Sequence, residues 1–156
     1  MKVAVVTGAA RGIGLAISKK FLEEGYRIAI LDIDQKTLSQ TMKQVFDTKN
    51  VLGLKCDVAE PDQVDQAVNL VVEEFGRIDV LVNNAGIAEF KPMHETTYEE
   101  WSRILAVNLY GPFICTQACA PFMLKNEGGS IVNITSISGL RARVPFVLPM
   151  EPVKRH

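Results

Sequence analysis

No apolar run in this sequence exceeds four residues, the length of Val3–Val6 and Ile28–Leu31. A membrane helix needs about 20, and a secretory leader needs an apolar stretch of about 7–15 near its start. Neither is expected, and the sequence predicts a cytoplasmic protein. A basic excess is missing too. Seventeen Lys and Arg stand against 18 Asp and Glu, a net charge of −1, so nucleic-acid binding by bulk electrostatics is disfavoured. Cysteine is sparse and odd in number. Cys56, Cys115 and Cys119 do not make a disulfide framework. Cys115 and Cys119 share a helix face at i, i+4, but no nearby Cys or His completes a metal site, so they read as core thiols. What is present is ordinary for a globular chain: 156 residues, 47% hydrophobic and 22% charged. That is a prior for one domain with a real core, and it argues against general disorder.

Two kinds of segment alternate. Val3–Val6, Arg27–Leu31, Val51–Lys55, Asp79–Val82 and Ser130–Thr135 are short and rich in Val, Ile and Leu, as strands buried on both faces are. Between them lie stretches of helical period. Ile13, Ala16, Ile17 and Phe21 fall on one side of the first, and Leu38, Met42, Val45 and Phe46 on one side of the second. A third runs from Asp62 to Phe75 behind Pro61, a common helix-start residue. Thr97–Asn108 and Gly111–Lys125 predict two more, the former placing Trp101, Ile104, Leu105 and Leu109 against the core. Such alternation implies an α/β fold, a doubly wound parallel sheet with helices on both faces. The pattern ends at Gly139. Residues 1–139 read as one unit and 140–156 as a loop and tail.

Thr7-Gly8-Ala9-Ala10-Arg11-Gly12-Ile13-Gly14 joins the first strand to the first helix. Gly8 permits a tight turn, Gly12 clears space where backbone meets a pyrophosphate, and Gly14 lets the helix lie close to the sheet. Helix N–H groups and dipole then favour an anion. The spacing G-x3-G-x-G differs from the common G-x-G-x-x-G. Asp32 ends the second strand, 18 residues after Gly14. A carboxylate there accepts hydrogen bonds from a ribose 2′-hydroxyl and repels a 2′-phosphate, which favours NAD over NADP. Alternatively Asp32 caps the next helix, which Asp34 could also do. Arg11 pulls the other way, since a guanidinium in the turn can meet a 2′-phosphate.

Five motifs now stand in order: TGAARGIG at Thr7–Gly14, CDV at Cys56–Val58, NNAG at Asn83–Gly86, Val107-Asn108-Leu109, and IVNITSISG at Ile131–Gly139. Together they resemble the short-chain dehydrogenase/reductase family, of the compact kind that includes 3-oxoacyl-carrier-protein reductases and many bacterial alcohol dehydrogenases. The resemblance covers residues 1 to about 149. It implies a Rossmann-type fold, a nicotinamide dinucleotide, a small alcohol or ketone substrate and a homo-oligomer. It implies that Gly8, Arg11, Gly12, Ile13 and Gly14 line the pyrophosphate and that Asp32 holds the adenosine ribose. Asp57 and Val58 would flank the adenine, and Asn84, Ala85 and Gly86 would form a cofactor wall. Asn108 would hold a water in the proton relay, and Ser136, three residues before Gly139, would orient the substrate oxygen. Read without the family, Asn108 is as readily an amide that satisfies backbone groups in a helix break.

The family also carries a Tyr-x-x-x-Lys pair about a dozen residues after the serine. The Tyr moves the proton, and the Lys lowers its pKa from about 10 and holds the nicotinamide ribose. Here Tyr26, Tyr98 and Tyr110 all precede Ser136. The expected place falls near Pro149 or Met150. Lys154 stands four residues after Met150, but reads with Arg155 and His156 as a solvated basic tail. One deleted base near Pro149 accounts for this. If the Pro149 codon ends in T, moving the frame back one base turns the ATG of Met150 into TAT, a Tyr codon. Gly is then forced, and Thr-Ser-Lys-Ala-Ala is permitted. An unrelated tail is the alternative. On either account the family's last strands and helices are expected to be missing. Ile131–Thr135 would become a sheet edge open to other chains, one of two dimer-forming helices would be lost, and turnover would be weak or absent. A dinucleotide-binding module without catalysis and a non-functional fragment are the rival readings.

Overall fold

The structure, a computed structural model, describes residues 1–46 and 49–136. The tail beyond Ser136, with Gly139, Arg141, Arg143 and Lys154, lies outside the described residues. Five strands, β1 (Val3–Thr7), β2 (Arg27–Asp32), β3 (Val51–Lys55), β4 (Val80–Asn83) and β5 (Ser130–Asn133), form one sheet in the order β3-β2-β1-β4-β5. All pairings are parallel. The helices are α1 (Gly12–Glu23), α2 (Gln35–Val45), α3 (Pro61–Phe75), α4 (Tyr98–Leu105) and α5 (Gly111–Lys125). The expected doubly wound parallel α/β fold is the one observed. Among the described residues no helix is long and apolar enough to cross a membrane.

Alternation along each strand divides the core. Val3, Val5, Ala29, Leu31 and Leu81 face α3 and α5 in one apolar cluster, while Ala4, Val6, Ile28, Ile30 and Val82 join a second with Leu38 of α2. Successive side chains on a strand point to opposite faces, so a sheet covered on both sides must be apolar at every position. β1 meets that demand with four apolar residues, Thr7 being its one polar member, and all five are buried. β5 does not. It is the outer strand on its side, and all four of its residues are exposed. Ile131 and Val132 keep 40% and 44% of their surface, which matches the expected apolar edge.

Two helical readings need correction. On α1, Ile17 and Phe21 pack against the second cluster as expected, but Ile13 and Ala16 are exposed and the fully buried residues are Gly14 and Ser18. The helix lies too close to the sheet for large residues: a Cβ on Gly14 would stand 2.5 Å from the Gly8 carbonyl oxygen. Ser18 can be buried there because its hydroxyl donates to the Gly14 carbonyl at 2.8 Å. Secondly, Thr97–Asn108 and Gly111–Lys125 are not separate helices. α4 runs into α5 through a π-helical turn, Ala106–Tyr110, in which the Gly111 N–H reaches back five residues to the Ala106 carbonyl. The extra residue shifts the phase of the helix, so Val107 turns inward and Leu109 stands 58% exposed. Thr97 is the cap rather than a helical residue: its hydroxyl accepts from the Glu100 N–H and the Glu100 carboxylate accepts from the Thr97 N–H.

All three cysteines are buried, Cys115 and Cys119 on the inner face of α5 as expected. Burial pushes the Cys56 thiol from an ordinary 9.0 up to about 11, and the negative charge of Asp57 adds to that. Burial likewise pushes Cys119 up to about 12 and raises Cys115. A raised folded-state pKa means that the folded chain holds the proton after the unfolded chain has lost it. These thiols therefore contribute full stability below pH 9 and lose it as the pH climbs through the folded values. The folding midpoint in urea is expected to fall from pH 9 towards pH 11, and maleimide to label the native thiols far more slowly than the unfolded ones. Three thiols reacting at the unfolded rate in native buffer would contradict this burial.

Candidate functional site

The sheet order puts β1 between β2 and β4, while the chain leaves β1 towards β2 first and reaches β4 only after β3. The loops after β1 and β4 therefore diverge, and a crevice opens at the carboxyl ends of the strands. The β1–α1 turn forms its base. Gly8 and Gly12 have φ of +62° and +60°, a region that side chains disfavour. A Cβ on Gly8 would stand 2.8 Å from Ala85 Cα, so the two loops touch through a missing side chain. A Cβ on Gly12 would meet nothing within 4 Å: the turn faces open space there. Arg11 is the N-cap of α1, and its side chain makes no capping hydrogen bond. The first-turn N–H groups thus receive no acceptor from the cap, in contrast to α2 and α4.

Asp34, not Asp32, caps the next helix. Its carboxylate accepts from the Lys36 and Thr37 N–H groups and from the Thr37 hydroxyl. The Thr37 hydroxyl is the main cause holding the Asp34 carboxyl below its ordinary value, and the Arg11 cation is a smaller one. Asp32 has a different task. Oδ2 accepts the Ala10 N–H and Oδ1 the Asp34 N–H, each at 3.0 Å. The carboxylate thereby fixes the glycine turn to the end of β2. Two oxygens offer about four lone-pair directions, so two remain for a hydroxyl.

The opposite wall is held by Thr7, a residue whose role the sequence does not disclose. Its buried hydroxyl accepts the N–H groups of Asn84 and Ala85, both at 3.0 Å. The Asn84 side-chain amide donates to the carbonyls of Thr7 and Gly8 at 2.9 and 3.0 Å. Asn84 thus clamps the turn in addition to lining the crevice.

A cleft of about 330 Å³ gathers Gly8, Arg11, Ile13, Asp32, Asp57, Val58, Asn84, Ala85 and Gly86. Gly12 and Gly14 stand in the turn and first helical residues beside it. Ile33, Cys56, Ile87, Arg103 and Val107 complete the lining. Arg103 donates to Asp57 Oδ2 at 2.8 Å across 46 residues of sequence, a separation at which no local pattern signals a pair. Asp57 Oδ1 accepts the Ala59 N–H at 3.0 Å. The Asn108 side chain bonds both backbone groups of Ile87, accepting its N–H at 2.9 Å and donating to its carbonyl at 2.8 Å. This is the backbone-satisfying reading of that amide. Ser136 is partly buried and lies three residues beyond β5, outside the cleft lining. Among the described residues no cluster of His, Cys, Asp and Glu could hold a metal.

Replacing Thr7 by Val keeps the side-chain shape and leaves two N–H groups without their acceptor. Each buried orphan costs about 1–3 kcal/mol. Thr7→Val is expected to lower unfolding free energy in urea by at least that much, and Thr7→Ser by less. Equal losses would mean that packing, not the hydroxyl, matters at this position.

Comparison with known proteins bears on the whole arrangement. Residues 2–148 match the family model described as short chain dehydrogenase. The chain is 43% identical over 136 residues to an uncharacterised oxidoreductase of Thermotoga maritima, covering 86% of this chain and 53% of that protein. It is 42% identical over 146 residues to 2-(R)-hydroxypropyl-CoM dehydrogenase of Xanthobacter autotrophicus, covering 90% and 58%. A 3-oxoacyl-[acyl-carrier-protein] reductase of Staphylococcus epidermidis is 39% identical over 140 residues, covering 88% and 57%. A solved structure from Novosphingobium aromaticivorans, assigned to the short-chain dehydrogenases, superposes with a TM-score of 0.86 at 31% identity, over 91% of this chain and 56% of that one. The chain spans little more than half the length of these relatives. It belongs to the short-chain dehydrogenase family.

Proposed function

We propose that the cleft binds a nicotinamide dinucleotide, NAD in preference to NADP, and that the activity is hydride transfer between the nicotinamide and a secondary alcohol or ketone. The observation that carries this reading is the joint placement of the open Gly12 turn, the uncapped start of α1 and the Asp32 carboxylate along one cleft at the switch point. Space, N–H donors and a hydroxyl acceptor lie in the order that pyrophosphate and ribose require. Gly8, Arg11, Gly12, Ile13 and Gly14 would hold the pyrophosphate, and Asp32 the adenosine ribose. Asp57 and Val58 would flank the base, and Asn84, Ala85 and Gly86 would form the wall. The bound nicotinamide would supply the hydride acceptor and donor.

Asn108 and Ser136 would serve the chemistry. The Asn108 amide is held by Ile87, and its backbone carbonyl would hold a relay water. Pro112 stands four residues on and has no N–H, so the carbonyl has no donor at α-helical spacing. Ser136 would orient the substrate oxygen. No Tyr follows Ser136 in the 156 residues. Loss of a general acid–base typically costs about 10²–10⁴-fold, so these residues alone would turn over weakly or not at all. The second reading is a module that binds dinucleotide without catalysis. Three unpaired thiols suit a reducing, cytoplasmic setting.

A thermal melt with each nucleotide tests the reading. At 100 times its dissociation constant NAD should add about 2.7 kcal/mol of stability, with a smaller gain from NADP at the same concentration. Asp32→Ala should shrink the NAD gain and narrow the difference. A cooperative transition that neither nucleotide moves would overturn the proposal and favour a non-functional fragment.

A further inference from the structure

We propose that Arg103 is a positioning residue for the adenosine end of this cleft, acting through Asp57. The inference rests on the dinucleotide reading above. It starts from how α4 is held. None of its eight residues is buried, so the apolar core does little to fix it. Lys91 pairs with Glu100 near its start, Val107 in the turn that follows it reaches the core, and near the cleft two polar straps hold it. Asn108, in the turn that continues α4, bonds both backbone groups of Ile87. Arg103 reaches the other way and bonds Asp57 in the connection between β3 and α3. Arg103 and Val107 are four residues apart and both line the cleft, so the straps set how closely this helical face approaches the strand ends.

The sheet order fixes which end Arg103 serves. Asp32 and Asp57 follow β2 and β3, on one side of β1, whereas Asn84 and Ile87 follow β4 on the other. Asp57 is tied on one oxygen to the Ala59 N–H and on the other to Arg103. Those two bonds fix the plane of the carboxylate. Its side chain is 13% exposed against 44% for Arg103, so the pair is partly shielded from solvent and salt. The charges lining the cleft also balance, with Arg11 and Arg103 against Asp32 and Asp57. Removing the guanidinium would free the carboxylate to rotate, loosen α4 and leave Asp57 unneutralised where the base enters.

The test is titration of the full chain with ADP-ribose, which carries the adenosine and pyrophosphate without nicotinamide, followed by calorimetry. Arg103→Ala should weaken binding about two- to fivefold, with the melting temperature of the unliganded chain little changed. Arg103→Lys should retain most of the affinity, because one donor to Oδ2 suffices, and Arg103→Glu should lose more than Arg103→Ala. The deciding measurement is Arg103→Ala in an Asp57→Asn background. An effect that largely disappears there supports action through Asp57. Equal losses in both backgrounds would mean that Arg103 acts as a charge on the pyrophosphate and overturn the inference. Undiminished binding by Arg103→Ala would overturn it alone. Failure of the unsubstituted chain to bind ADP-ribose would overturn the dinucleotide reading and this inference with it.

Discussion

One buried hydroxyl, that of Thr7, joins the two loops between which the cleft opens, accepting two N–H groups from the chain leaving β4. β1 and β4 pair in parallel through Val6 and Val82, after which their hydrogen-bonding directions part. Every backbone group released at that point needs a new partner. Thr7 takes the N–H groups of Asn84 and Ala85, and the Asn84 amide takes the carbonyls of Thr7 and Gly8. A reciprocal clamp therefore replaces the strand ladder for one more step. Without it the mouth would close on itself or admit water to bare amides.

The clamp explains why glycine occupies the positions it does. A Cβ on Gly14 would stand 2.6 Å from Asn84 Nδ2 and 2.9 Å from Ala9 Cα, so a methyl there would displace the amide that holds both carbonyls. The close approach of α1 to the sheet and the integrity of the clamp are one constraint. Gly12 differs, because its added atom would meet nothing, and the requirement there is the left-handed backbone together with the open space in front of it.

How much of this could be read from the residues depends on how local the cause is. The strands were legible to within about one or two residues because a sheet covered on both faces needs uninterrupted Val, Ile and Leu. The inner face of α1 was only half legible: periodicity selects Ile17 and Phe21, which pack, but also Ile13 and Ala16, which do not, while close packing through Gly14 and Ser18 leaves no apolar signal. Asp32 and Asp34 were interchangeable as caps in sequence. Only geometry separates the one that starts α2 from the one that ties down the glycine turn. The π-helical turn was announced only by Pro112, and the Arg103–Asp57 pair spans 46 residues with nothing local to mark it. Nine of the residues proposed for dinucleotide contact line the cleft, because their motifs sit at strand ends whose positions the fold dictates.

The two sides of the cleft are held by different physics. The side built from β1 and β2 rests on strands whose central residues are completely buried, Val3, Ala4, Val6 and Ile28 among them, and moving it would expose core. The side built from α4 and the π-helical turn keeps one core residue, Val107, and rests otherwise on hydrogen bonds and two ion pairs, Lys91–Glu100 and Arg103–Asp57, at partly exposed positions. Such contacts contribute little each and open at low free-energy cost. A dinucleotide would meet a rigid anion and ribose site on one wall and an adjustable wall on the other. Under the proposed hydride transfer, adjustability would belong on the side where Asn108 sits, since a relay water and a substrate would enter and leave past it while the cofactor's phosphates stayed in place. The π-helical turn suits this arrangement. It offsets the helix by one residue without unwinding it, so that Val107 reaches the core while Asn108 bonds Ile87 at the wall of the cleft.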